Sequence, residues 1–484
     1  MQAAQSVSGN GVRSPSDTSL ADACATRLNI NMNSLELRAS VGLAGLYGLR
    51  MLGMFLVLPV FALYATALPG GDNHALIGIA LGSYGLTQAL LQLPFGMLSD
   101  RIGRKKVIYA GLLLFAAGSF VAAGATDIWW LMIGRTIQGA GAISAAVTAL
   151  LADLTREENR TKAMAMIGMT IGTTFAASLV LAPLLTKWIG VNGIFALTGV
   201  LTLLAMIGVK FIIPDPSVSR FHSDTEANTA RLPVVLRDPQ LLRLNFGILA
   251  LHASQMAMFV VMPFALIQTA GLDKTHHWEV YLPVTLIGFL LMVPAIIYGE
   301  KRQQLKPVFV GAVALMFIAQ LGMAFALDSF WEIVVLLGLY FIAFNILEAC
   351  LPSLISKIAP TDAKGTAIGV YNTAQSIGLF LGAAIGGWLY SYAGSGAVFG
   401  FTSILIGVWL TLAISMAAPM AVRTEMFHIG EDWQGDAAAL SSRLSSQKGV
   451  KEAVVIASER VAYLKVMQND WDRASVNKLI EETY

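Results

Sequence analysis

Charge is what this chain has least of. Only 13% of its 484 residues are Asp, Glu, Lys or Arg, and 56% are hydrophobic. A soluble domain carries about 25% charged residues. The shortage excludes an ordinary soluble protein and, with 45 glycines, points to a polytopic helical membrane protein. Cysteine is also scarce. Cys24 lies in a polar stretch and Cys350 in an apolar run, so no disulfide framework is implied. The sequence holds no phosphate loop, no zinc-spaced cluster and no nucleophile–base pair near the end of an apolar run. No enzymatic activity, cofactor or metal is therefore expected. The net charge of +2 is too near neutral to speak of partners, and no nucleic acid is expected. Residues 1–37 lack the apolar core of a signal peptide and are rich in Ser, Asn, Thr and Ala. They read as a largely disordered cytoplasmic tail.

What the chain does have is apolar runs of membrane length. Twelve spans are expected, at about 38–65, 76–98, 106–125, 129–152, 162–186, 192–213, 242–270, 278–299, 306–326, 330–356, 364–390 and 397–421. A polar stretch from Pro214 to Arg243 divides them six and six. The expected domains are the tail at 1–37, a six-helix bundle at 38–213, a cytoplasmic linker at 214–241, a second bundle at 242–421 and a soluble domain at 422–484. Between spans, lysines and arginines crowd on one side, and the other side has Lys187 and Lys274. That bias places both termini in the cytoplasm. The halves also look like repeats. Met54 to Pro59 parallels Met258 to Pro263, and Arg160-Thr161-Lys162-Ala163 parallels Lys364-Gly365-Thr366-Ala367.

Gly96 to Lys106 is a charged hairpin between the second and third spans. Gly96, Asp100, Arg101, Gly103, Arg104, Lys105 and Lys106 fill every fixed position of the G-x-x-x-D-R-x-G-R-K/R-K/R loop, so the chain resembles major facilitator superfamily transporters. Leu52-Gly53 followed five residues later by Pro59-Val60, and Arg135-Thr136-Ile137-Gln138-Gly139-Ala140-Gly141-Ala142, are similar to signatures of that superfamily's drug–proton antiporters. In span 5, Gly168 and Gly172 match the antiporter pattern, but Thr173 stands where it has proline. That departure leaves the direction of transport open. The resemblance implies two six-helix halves. It also implies that Asp100 docks at the N-terminal end of span 11 near Lys364-Gly365, and that Arg101 or Arg104 meets Asp153. Gly96, Asp100, Arg101, Gly103, Arg104, Lys105 and Asp153 would then form a gate.

Ionisable side chains inside a membrane are costly. Four stand well inside spans: Arg50, Arg135, His252 and Glu348. Glu348 is the one carboxylate well within an apolar span. It reads as a proton-coupling group, or as the structural partner of an arginine such as Arg50. His252 reads as a second proton carrier or as a structural residue. Arg135 suits an anionic group, the tuning of a nearby acid or fixed bonds to backbone carbonyls. Arg50, Arg135, Asn345, Asn372 and Gln375 are the candidate cavity residues, with Gln88 and Gln92 beside them. For the amides, hydrogen-bonding between helices is the plain alternative.

From Arg423 the composition turns soluble. Met426 to Ile429, a helix capped by Asp436, strands at Glu452–Ala457 and Val461–Met467, and a final helix capped by Asp472 or Ser475 give the order β-α-β-β-α. This resembles the ferredoxin-like domain of YajR-type transporters. It reads as a stabilising or dimerising module, or as a regulatory one. The expected function is a proton-coupled secondary transporter of the bacterial inner membrane, exporting small amphiphilic molecules or drugs. The alternatives are a uniporter or proton symporter for a nutrient, and a transporter-like receptor. Its expected partners are a small-molecule substrate, protons and the lipid bilayer, with the chain a monomer.

Overall fold

The computed structural model describes residues 32–215, 229–360, 363–418, 422–429, 433, 435–457, 460–467 and 471–481. The first half contains α1 (Ser34–Phe55), α2 (Leu58–Ala65), α3 (His74–Ile102), α4 (Arg104–Ala123), α5 (Ile128–Ala140), α6 (Ser144–Leu154) and α7 (Glu157–Phe211). The second contains α8 (Leu232–Arg237), α9 (Pro239–Gln268), α10 (Trp278–Lys301), α11 (Leu305–Phe325), α12 (Phe330–Ile358) and α13 (Lys364–Ile414). A small domain follows, with β1 (Val422–His428), α14 (Ala437–Ser445), β2 (Val450–Ile456), β3 (Val461–Met467) and α15 (Arg473–Glu481).

Among the described residues, ten helices are long and apolar enough to cross a membrane. Two of them, Lys162–Phe211 and Lys364–Ile414, run 50 and 51 residues, over twice the ~20 that one crossing needs. Each is broken at a glycine in the left-handed region, Gly190 (φ 67°) and Gly394 (φ 73°), where a side chain would be strained. Twelve crossings result, as expected, but these two connections shrink to single glycines.

Several edges differ from the sequence reading. The first span starts at Ser34, inside the expected tail. Asn33 and Glu36 form a capping box there, and buried Glu36 also accepts from Arg156 Nε (2.9 Å) and Asn159 Nδ2 (3.1 Å). These bonds fasten the start of α1 to the N-cap and first turn of α7. Residues 1–31 and 216–228 lie outside the described residues. The linker's described part contains α8, and α13 ends at Ile414, short of the expected 421.

The halves meet along α3 and the first part of α13. Near His74 the two helices touch. A Cβ added to Gly78 would lie 2.1 Å from the Ala383 carbonyl oxygen, so backbone meets backbone there. Ala75 N–H donates to Ser391 Oγ at 3.1 Å. Toward the hairpin the helices part. Gln92, Gly96 and Asp100 of α3 face Gly365, Ile368 and Asn372 of α13 across a cleft. The molecule is closed at one end of this seam and open at the hairpin end.

The C-terminal sheet has strand order β1-β3-β2, all antiparallel. Leu440 and Leu444 of α14 and Val476 and Ile480 of α15 cover one face, against Ala462 and Leu464. Asp436 and Asp472 cap the two helices. Lys465 of β3 donates to the Ala359 carbonyl at 2.7 Å, which seats the domain on the C-cap of α12.

Candidate functional site

The first half holds two arginines in its core, each 1% exposed. Arg50 donates through Nη1 to Ser144 Oγ (3.0 Å) and through Nη2 to Tyr84 Oη (3.1 Å) and Gln88 Oε1 (3.3 Å). Arg135 lies over the Tyr84 ring, with Cζ 4.9 Å from its centroid, a cation–π contact. Its Nη1 donates to Gln138 Oε1 (2.9 Å), and Gln138 Nε2 donates to Ser119 Oγ (2.8 Å). Gly139 makes this possible. Its added Cβ would sit 2.2 Å from the Tyr84 carbonyl oxygen, so α5 lies directly on α3 and Arg135, one turn earlier, reaches the ring. All the side chains bonded to these two guanidiniums are neutral. Arg50 Nε and Arg135 Nε and Nη2 are buried without a hydrogen-bond partner.

The second half holds the opposite kind of cluster. His252 of α9 donates Nδ1–H to the Ile248 carbonyl (3.2 Å). Its Nε2 is then free to accept from Gln375 Nε2 of α13 (2.7 Å). Glu348 of α12 places Oε2 3.8 Å from that same Nε2. Its side chain is 36% exposed although it lies near the middle of α12. Asn345 precedes it by one turn on α12, and Asn372 precedes Gln375 on α13 and reaches the cleft. Aromatic rings join the two halves at this level. Phe55 meets Phe175 (5.1 Å), and Phe175 meets Phe344 (5.9 Å), which lies 6.0 Å from the His252 ring.

At the hairpin, Arg104 is buried and bridges two acids. It pairs with Asp100 one turn before it, and its Nε donates to Asp153 Oδ2 at 3.2 Å. Lys105 reaches the Ile213 carbonyl and Asp215, both at 2.7 Å. Gly103 has φ 102°, the left-handed conformation that lets α3 turn directly into α4. Arg101 is exposed.

The profile of the Major Facilitator Superfamily matches residues 43–383 and 301–425, and that of the YajR YAM domain matches 432–482. The chain belongs to the Major Facilitator Superfamily, as a YajR-type transporter. It is 44% identical to the inner membrane transport protein YajR of Escherichia coli (strain K12), over 92% of this chain and 98% of that one. It is 27% identical to the multidrug resistance protein MdtH of Aeromonas salmonicida (strain A449), over 71% of this chain and 85% of that one. Among solved structures it resembles a bacterial homologue of the human lysosomal transporter Spinster, with TM-score 0.67 and 12% identity over 81% of this chain and 98% of that one. That likeness concerns the fold.

Within this superfamily fold, the expected site residues separate into distinct groups. His252, Glu348 and Gln375 come together from three helices. Arg50 does not pair with Glu348: its bonds go to Ser144, Tyr84 and Gln88 inside its own half. Asp100 does not dock on the start of α13. It pairs with Arg104 and faces Gly365 across the open cleft. Arg104, not Arg101, is the residue that meets Asp153. The sequence reading missed Tyr84 and Ser144, the partners of Arg50. Tyr84, Gln88 and Gln92 recur every four residues, which lines one face of a helix and was a usable signal. Ser144 gave none, because its position depends on a break in the fourth span at Gly141–Ile143.

Proposed function

We propose that this chain is a proton-coupled secondary transporter of the bacterial inner membrane, exporting small amphiphilic molecules by alternating access, with both termini cytoplasmic. The single observation that carries the reading is the meeting of Glu348, His252 and Gln375 beside an aromatic seam between the halves. A carboxylate there has an imidazole beside it and partial access to the interior. It can take a proton in one state of the molecule and give it up in the other. The aromatic lining suits an amphiphile, and the names of the E. coli and Aeromonas relatives, an inner membrane transport protein and a multidrug resistance protein, agree with export.

In this reading the hairpin end faces the cytoplasm, and the cleft is the inward-open pathway. Closure brings Asp100 toward the N-terminus of α13, whose helix dipole favours a carboxylate. Arg104 and Asp153 hold the hairpin in place for that step. Binding of substrate or proton shifts the population between the two states. The C-terminal domain acts as a stabilising module, held to α12 through Lys465.

The test is proton flux in sealed proteoliposomes under an imposed pH gradient, with aromatic amphiphiles added. Wild-type protein is expected to release protons only when compound is present, and Glu348→Gln to lose at least nine-tenths of that flux. Compound movement without proton flux, unchanged in Glu348→Gln, would make the protein a facilitator and refute the coupling role.

A further inference from the structure

We propose that Arg50, Arg135 and the uncapped N-terminus of α6 form a binding site for the anionic group, a carboxylate, of the transported amphiphile. That the anion is cargo rests on the transport reading above; that it binds here does not.

Three observations converge. First, two guanidiniums share Tyr84, one at its hydroxyl and one over its ring, and every side chain bonded to them is neutral. Buried charge is costly unless an opposite charge answers it, and here three guanidinium N–H positions are enclosed and unpartnered. The acid of the other half does not answer it, because Glu348 has its closest ionisable contact with His252.

Second, the fourth span is interrupted. Helix α6 restarts at Ser144 after three non-helical residues, and no side chain caps it. The first N–H groups of a helix lack intrahelical partners and carry roughly half a positive charge. Arg50 is bonded to the side chain of the first residue of this helix, so the helix end and the guanidinium lie together. Broken spans whose half-helix N-termini meet an anionic group are an established device in transporters.

Third, the cleft ends one turn short of these arginines, which are themselves 1% exposed. Ser144 and Gln88, which hold Arg50, stand one turn (about 6 Å) from Thr148 and Gln92, which line the hairpin-end cleft. Opening of that one turn would bring an anion in the cleft to Arg50 first, then to Arg135 across Tyr84. The aromatic body of the amphiphile then has Phe61, 5.9 Å from Arg135 Cζ, and Tyr84 beside it.

The experiment compares a matched pair of probes, radiolabelled 1-naphthaleneacetate and its neutral carboxamide, by equilibrium dialysis against the full chain in detergent. The wild-type protein is expected to bind the acid at least tenfold more tightly than the amide. Arg50→Gln and Arg135→Gln should each bring the acid to within threefold of the amide without weakening the amide, and Arg50→Lys should retain part of the preference. Equal binding of acid and amide by the wild type, or no binding of the acid, overturns the proposal whether or not any variant folds. So does an undiminished acid preference in both Gln variants. A preserved preference with no movement of the acid into proteoliposomes would keep the anion site and remove the transport reading instead.

Discussion

The two halves solve the same local problem with charges of opposite order and very different burial. In the first, the base sits on the hairpin and the acid on the fourth span: Arg104 meets Asp153, with side chains 2% and 0% exposed. In the second, the acid ends the eighth span and the base lies on the tenth: Lys357 donates to Glu300 at 2.8 Å, with side chains 23% and 40% exposed. Each pair ties a span of its half to another at the same end of the molecule. Removing one member of a buried ion pair leaves a charge in low dielectric, whereas a partly solvated pair loses little when broken. The halves differ again at the middle of the membrane. The first carries guanidiniums bonded to neutral groups, the second an imidazole and a carboxylate. The two halves thus differ in chemistry at this level: guanidiniums in one, an imidazole and a carboxylate in the other.

The comparison can be broken by mutation. The largest effect is expected from Arg104→Ala, which breaks the buried pair with Asp153 and should lower stability by about 3 kcal/mol, read as an earlier fluorescence melt in detergent. Next comes Gly78→Val at the closed end of the seam. Its first added carbon meets the Ala383 carbonyl, and overpacking of this kind costs about 2 kcal/mol. The closed end should also become reachable by a polar thiol reagent at a cysteine placed at Ser391. The smallest effect belongs to Lys357→Ala, where the same melt should move by only about 0.5 kcal/mol. Equal shifts for Arg104→Ala and Lys357→Ala would erase the difference between the halves. No change in reagent access for Gly78→Val would show that the tight contact near His74 does not seal that end.

Much of this architecture was legible in the residues. Runs of apolar residues must become spans because a backbone in hydrocarbon has to satisfy its own hydrogen bonds, and Gly190 and Gly394 fell where the long runs had to break. The C-terminal domain has the expected element order, with β3 at Val461–Met467 as expected. The start of the first span was misread because Asn33 and Glu36 look like tail residues until Arg156 and Asn159, over a hundred positions away, are seen to hold Glu36. The hairpin's residues were plain, but whether Asp100 touches the start of α13 depends on which end of the seam is closed.

The sequence by itself determined the number of crossings, the charged hairpin, the isolated acid at Glu348 and the order of the C-terminal elements. Each of these follows from local composition and periodicity acting against a fixed solvent. Only the tertiary structure decided that His252 takes Gln375 and Glu348 as neighbours, that Arg50 keeps to its own half, that Ser144 restarts a broken span, and that the seam is shut near His74 and open near Asp100. Those contacts join residues far apart in the chain, and in a membrane they rest on how closely small residues let backbones approach. One-dimensional patterning suggests which helix face is packed, but not which partner it meets.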